Sequence, residues 1–150
     1  MAGKYFGRNS VSLLTQKSQI ESTYSNVKSC NINHDKLICY MDITPSDNSD
    51  LYKVKIEYKV SESPKVWVLS PPLVGYKNKP IKHLYESTTP HQMLCIFYPG
   101  YNEWNKGMLL AYSFIPWISS WLNTYEYWLI TGIWHYDESP HQRKKVGKYK

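Results

Sequence analysis

Residues 51–60 read LYKVKIEYKV. Leu51, then Val54, Ile56, Tyr58 and Val60, oppose Lys53, Lys55, Glu57 and Lys59, a two-residue alternation that predicts a strand with one face in the core and one in water. A sheet with a wet face is an antiparallel sheet, so the neighbouring segments are read as its partners. Upstream, Lys36 to Ile43 (KLICYMDI) forms the preceding strand, and the turn formers TPSDNSD at 44–50 join the two as a hairpin. Downstream, Ser63-Pro64 ends the central strand and Lys65 to Leu69 (KVWVL) begins a third. Pro71-Pro72 cannot donate to a ladder and restricts Ser70 to extended geometry, so the sheet ends or bends there. Ile81 to Tyr85 and Gln92 to Phe97 are short apolar stretches on either side of ESTTPH, and an irregular segment with Pro99-Gly100 leads on to Trp104.

Helices flank this meander. Ser10 to about Ser25 places Val11, Leu13, Leu14, Ile20 and Tyr24 at amphipathic spacing behind a capping Ser10. Near Pro116 a second helix begins, with Ile118, Trp121, Leu122, Tyr125, Trp128 and Leu129 at three- and four-residue intervals and Thr131-Gly132 as the stop signal. The expected class is α+β: an N-terminal helix, an antiparallel four-stranded meander, and a C-terminal helix or helices. Trp117, Trp121, Tyr125 and Trp128 share one helical face, a stripe that reads as core.

The chain has 150 residues, a size that suits one domain able to bury a core without a disulfide or metal staple. Its formal charge of +6 suggests a nucleic-acid binder until it is divided. Residues 143–150 (RKKVGKYK) hold five of the 18 basic residues and no acid, which leaves 13 basic against 12 acidic residues elsewhere. The expected organisation is a nearly neutral domain over 1–142 and a basic, flexible tail over 143–150. A nucleic-acid groove would be lined by the folded domain, so nucleic acid is the weakest of the partner classes. The tail suits an acidic protein surface or simple solvation. No apolar run reaches membrane-spanning length, and the polar start MAGKYFGRNS is not a signal peptide. Cys30, Cys39 and Cys95 are odd in number and lack CxxC spacing, which predicts a reducing, cytoplasmic setting without a disulfide framework or a cysteine-rich zinc site.

The segment KVWVLSPPL at 65–73, then His83-Leu84-Tyr85, Leu94-Cys95-Ile96, Trp104 and a C-terminal helix resemble, in that order, the layout of a ubiquitin-conjugating enzyme (UBC fold). In that family a strand leads to a double proline, an HPN tripeptide, a cysteine in an ICL-type context and a tryptophan. The aromatic stretch IPWISSWLNTYEYWLITGIW at 115–134, with His141 beyond it, resembles more closely the prokaryotic members encoded in type II CBASS antiphage operons beside a cGAS-like nucleotidyltransferase (CD-NTase). Where those relatives have a glycine pair after the last tryptophan, this chain has Tyr136-Asp137.

From context alone Cys95 is either a small buried hydrophobe or a nucleophile, since a thiolate can take an activated acyl group as a thioester and pass it to an amine. The resemblance implies the nucleophile. It also implies that His83 shapes the loop beside the site, and that Tyr85 stands where the family's HPN asparagine assists an oxyanion or organises its loop. Tyr85 is either a hydroxyl donor in that place or a packing residue. His91 is either a base near Cys95 or a solvated loop residue, and His141 lies on the active-site side. Cys30 and Cys39 read as structural. His135 and His141 make too poor a ligand set for a metal, and no P-loop or dinucleotide fingerprint is present, so no cofactor is expected and any activation by ATP comes from elsewhere. The implied acyl donor is the C-terminal glycine of the CD-NTase from the same operon, the acceptor a target protein amine, and the membrane is not a partner. A non-catalytic scaffold of the same fold, suggested by the altered HPN tripeptide, is the competing expectation.

Overall fold

The computed structural model describes residues 10–85, 91–97 and 103–134. The proposed tail at 143–150, the boundary at 142, His135 and His141 lie outside them. Helix α1 (Leu13–Thr23) is followed by strands β1 (Val27–Asn33), β2 (Lys36–Ile43), β3 (Tyr52–Tyr58), β4 (Lys65–Ser70), β5 (Leu84–Tyr85) and β6 (Gln92–Leu94). A 3-10 turn (Leu110–Tyr112) then leads into helix α2 (Phe114–Thr131). The strands form a single antiparallel sheet in the order β1-β2-β3-β4-β6-β5.

The α+β class is as expected, but the sheet has six strands where four were expected. Strand β1 escaped detection because its burial is almost one-sided by default: it lies at the edge, and in VKSCNIN only Cys30 is buried. Strands β5 and β6 are two and three residues long, too short for any period to show. In β3 the buried set is Tyr52, Val54, Ile56 and Tyr58, so Leu51, assigned to the core by alternation, lies outside the strand and is exposed. Ser12 rather than Ser10 caps α1: its Oγ accepts the Thr15 amide at 3.1 Å. Helix α2 starts at Phe114, which places Pro116 in the first turn, where its missing N–H costs no helical bond. Gly132 ends it in the left-handed region at φ 79°, its N–H donating to the Trp128 carbonyl at 2.7 Å.

The sheet divides water from core. Leu37, Cys39, Met41, Val54, Ile56, Val66 and Val68 join Ile20 of α1 and Phe114, Ile118, Trp121, Leu122, Tyr125 and Trp128 of α2 in one buried cluster. Trp121, Tyr125 and Trp128 of the aromatic stripe are therefore core, as read, while Trp117 is only partly buried against it. Two polar ties hold the helices to it. Buried Gln16 donates to the Met108 carbonyl at 2.8 Å and accepts the Leu110 amide at 2.9 Å, joining α1 to the segment before α2. Glu126 of α2 accepts from Tyr52 Oη at 2.6 Å and Ser49 Oγ at 2.5 Å, fixing the β2–β3 loop. Among the described residues no helix is long and apolar enough to cross a membrane.

Candidate active site

The double proline turns the chain out of the sheet after β4, through a cis Ser70–Pro71 bond. The segment that follows is held by side chains where no ladder exists. Gln92 accepts the Leu73 amide at 2.7 Å and donates to the Leu73 carbonyl at 3.0 Å, while Tyr125 Oη accepts the Val74 amide at 2.8 Å. A tight turn, with Lys77 and Asn78 both at positive φ, closes between Tyr76 and Lys79. These contacts return the chain to the sheet edge at His83.

There β5 pairs with β6, Leu84 opposite Leu94 and Tyr85 opposite Met93. The pairing continues one step past the named strands, where the Cys95 amide donates to the His83 carbonyl at 2.8 Å. Leu94 and Ile96 are both buried, so alternation turns Cys95, between them, to the opposite, watered side. Its thiol is half-buried. By the same parity Tyr85 and Met93 share that side. Tyr85 stands diagonal to Cys95 across the short hairpin, on the same side of the sheet. Cys95 Sγ in turn donates to the Phe97 carbonyl at 3.1 Å. Burial first, and the cysteine contact second, push the Tyr85 hydroxyl up to about 12, so it stays a protonated donor throughout the neutral range.

His83 contributes its backbone to this arrangement. It adopts positive φ, at 60°, and its imidazole packs on Trp134 with ring centroids 5.4 Å apart. Trp134 meets Trp121 and Trp128 edge to face at 5.1 and 5.5 Å, so the loop beside Cys95 rests on the aromatic core of α2. Phe97, whose carbonyl receives the thiol, stacks on Phe114 at 5.5 Å. The site is thus anchored to the two ends of α2. His91 has the parity of Cys95 but stands four residues away, about 13 Å along an extended chain.

The three residues singled out from sequence, Cys95, His83 and Tyr85, therefore meet at one place. Gln92, Phe97 and Trp134, which hold that place, escaped detection because each acts on a partner distant in sequence or through a backbone group. Gly132 shows its role only in three dimensions: a Cβ there would stand 2.9 Å from the Tyr76 ring, in addition to its left-handed φ. A groove of about 490 Å³ lies elsewhere, between α1, the end of β2 and the first turns of α2, and is lined by Asn26, Thr44, Ser119 and Asn123 among others. None of Cys95, Tyr85 and His83 borders it. Among the described residues no group of three His, Cys, Asp or Glu side chains is placed to hold a metal ion.

The family model of the type II CBASS E2 proteins matches residues 16–142. The chain belongs to the type II CBASS E2 protein family. Its E2-like family suggests a role in CBASS, and the matched range includes every residue of the site just described. A search of curated proteins finds no match for this CBASS E2 protein.

Proposed function

We propose that this CBASS E2 protein is a ubiquitin-conjugating-like acyl transferase whose nucleophile is Cys95. The observation that carries the reading is the half-buried Cys95 on the watered side of the β5–β6 hairpin, its amide paired to the His83 carbonyl and Tyr85 diagonal to it on the same side. In the altered HPN tripeptide, Tyr85 thus keeps a hydrogen-bond donor where the family's asparagine stands. The acyl donor is the C-terminal glycine of the partner CD-NTase, already activated with a leaving group. The Cys95 thiol releases its proton to solvent and the thiolate attacks the glycine carbonyl carbon. A C–S bond forms, and the bond to the leaving group breaks as that group departs with the electron pair. In the tetrahedral intermediate the O–H of Tyr85, on the same side of the hairpin as Cys95, donates to the new oxyanion. A target protein amine then attacks the thioester, the C–N bond forms, the amine loses a proton, and Cys95 leaves as thiolate. The product is an amide or isopeptide that primes antiphage signalling.

The test is to incubate the protein with the CD-NTase of its operon under activating conditions and measure intact mass with and without thiol reductant. The expected product is a reductant-sensitive adduct absent from Cys95→Ala. Stable association without an adduct under all activating conditions would instead favour the non-catalytic scaffold.

A further inference from the structure

The watered face of the sheet runs into the Cys95 site without a break. Cross-strand pairing aligns Tyr40 with Lys55, Lys55 with Trp67, Trp67 with Met93 and Met93 with Tyr85, one row across β2, β3, β4, β6 and β5. At about 4.8 Å per strand the row is roughly 19 Å long, the reach of about six residues of extended chain. It ends at Tyr85, the diagonal neighbour of Cys95 on the same side of the hairpin.

The charge on this face is uneven in depth as well as number. Asp42 pairs with both Lys28 and Lys53, at 3.4 and 3.6 Å, and Glu57 with both Lys36 and Lys55, at 3.5 and 2.9 Å. Two carboxylates thus serve four ammonium groups and leave two positive charges over. The side chains of Asp42 and Glu57 are only 11% and 19% exposed, whereas Lys28 and Lys53 are 62% and 57% exposed. Acid forms the floor and base the surface. The β-bulge at Val27/Ser29 falls where Lys28 reaches Asp42, and Lys55 lies over the Trp67 ring at 5.5 Å, which keeps its charge within the row, one strand from its Tyr40 end.

We propose that this face docks the acyl donor as an extended, acidic C-terminal peptide, laid across the strands along the row from Tyr40 to Tyr85 with its terminal carbonyl at Cys95. The inference rests on Cys95 accepting an acyl group, as set out above. Lys55 stands three strands from Tyr85, about 14 Å, which places the preferred acidic side chains roughly four to six residues before the terminal glycine. Trp67, Met93 and Tyr85 offer apolar surface to the residues between. The partner recognised is a peptide with that charge pattern, and a neutral or basic tail is its counterexample.

The probes are peptides about ten residues long ending in glycine, activated as alkyl thioesters, with Glu, Gln or Lys at the fourth to sixth positions from the end. Transfer exchanges one C–S bond for another and releases the alkyl thiol, so it needs no activating enzyme. At about 0.05 M salt the Glu peptide is expected to load Cys95 at least about tenfold faster than the Lys peptide, the gap narrowing at about 0.3 M. In Lys53→Glu/Lys55→Glu the order reverses, and in the milder Lys53→Gln/Lys55→Gln, which leaves Asp42 and Glu57 without added like charge, the preference disappears. Equal loading of the three peptides, unaffected by either double variant, overturns the docking proposal while acyl transfer stands. If no peptide loads, anisotropy of the labelled free acids on Cys95→Ala decides. Preference for the Glu peptide there upholds docking and sinks the transfer reading, and lack of preference sinks both.

Discussion

Two regions of this protein carry cysteine, and they use it in opposite ways. At the β1–β2 hairpin, Cys30 and Cys39 face each other in register, both buried. The bond to Cys30, followed by burial, pushes the Cys39 thiol well above its ordinary value. At the β5–β6 hairpin, Cys95 is opposed by a backbone carbonyl, half-open to water, and flanked diagonally by Tyr85. Both hairpins are antiparallel and both place their thiols by strand parity. What differs is which side of the sheet the parity selects: the inner side makes cysteine a small hydrophobe, and the outer side makes it a reagent.

The largest expected effect breaks that contrast directly. In the folded protein iodoacetamide should label Cys95 about a thousandfold faster than Cys30 or Cys39, because alkylating a core thiol requires an opening that costs on the order of 4 kcal/mol. In strong denaturant the three rates should converge. Peptide mapping after timed quenching reads this, and comparable labelling of all three in the native state would show that the β1–β2 hairpin is open. A smaller effect comes from the core itself. Cys39→Ala removes a buried sulfur and should lower unfolding stability by about 1–2 kcal/mol in denaturant titration, while leaving the rate of adduct formation at Cys95 unchanged. Gly132→Ala, which forces a Cβ toward the Tyr76 ring at a left-handed φ, should cost about 1–2 kcal/mol as well. Unlike Cys39→Ala, it should also alter Cys95 labelling, since Trp134, two residues on, supports His83.

The same two hairpins explain how much the sequence discloses. Alternation in 54–60 and 36–43 exposes β3 and β2 because each strand has both a wet and a dry face over several residues. The spacing of Trp121, Tyr125 and Trp128 likewise exposes α2 as a core helix. Strand β1 has too few buried positions for a period, and β5 and β6 have too few positions of any kind. Yet an ordered series of motifs points to Cys95, His83 and Tyr85, which the fold places side by side, because such a series survives where periodicity fails. The supports were not: Gln92 replaces missing ladder bonds on Leu73, and Trp134 carries the His83 ring, through contacts that span the chain. Such contacts depend on tertiary placement, which neither local propensity nor a short motif encodes.

The finest test of the contrast concerns the tyrosine hydroxyl beside Cys95, which the core cysteines lack. Tyr85→Phe keeps the ring on the sheet and removes only the hydroxyl, so stability should change little, and loading of Cys95 should slow about tenfold, the worth of roughly one hydrogen bond in the transition state. Alkylation by iodoacetamide, which develops no oxyanion, should slow less. The proton on Tyr85 supplies an independent reading. Its folded value, about 12, lies above the ordinary tyrosine value near 10 that applies unfolded, so its contribution to stability is whole below pH 10 and is lost as pH rises from 10 to 12. Tyrosinate absorbance, taken as wild type minus Tyr85→Phe, should therefore titrate near pH 12. In Cys95→Ala the midpoint should move down toward the ordinary value without reaching it, because the sulfur contact is gone but the larger cause, burial, remains. A midpoint already at 10 in the wild type would mean that Tyr85 is an ordinary surface phenol, and the two hairpins would then differ in solvent access alone.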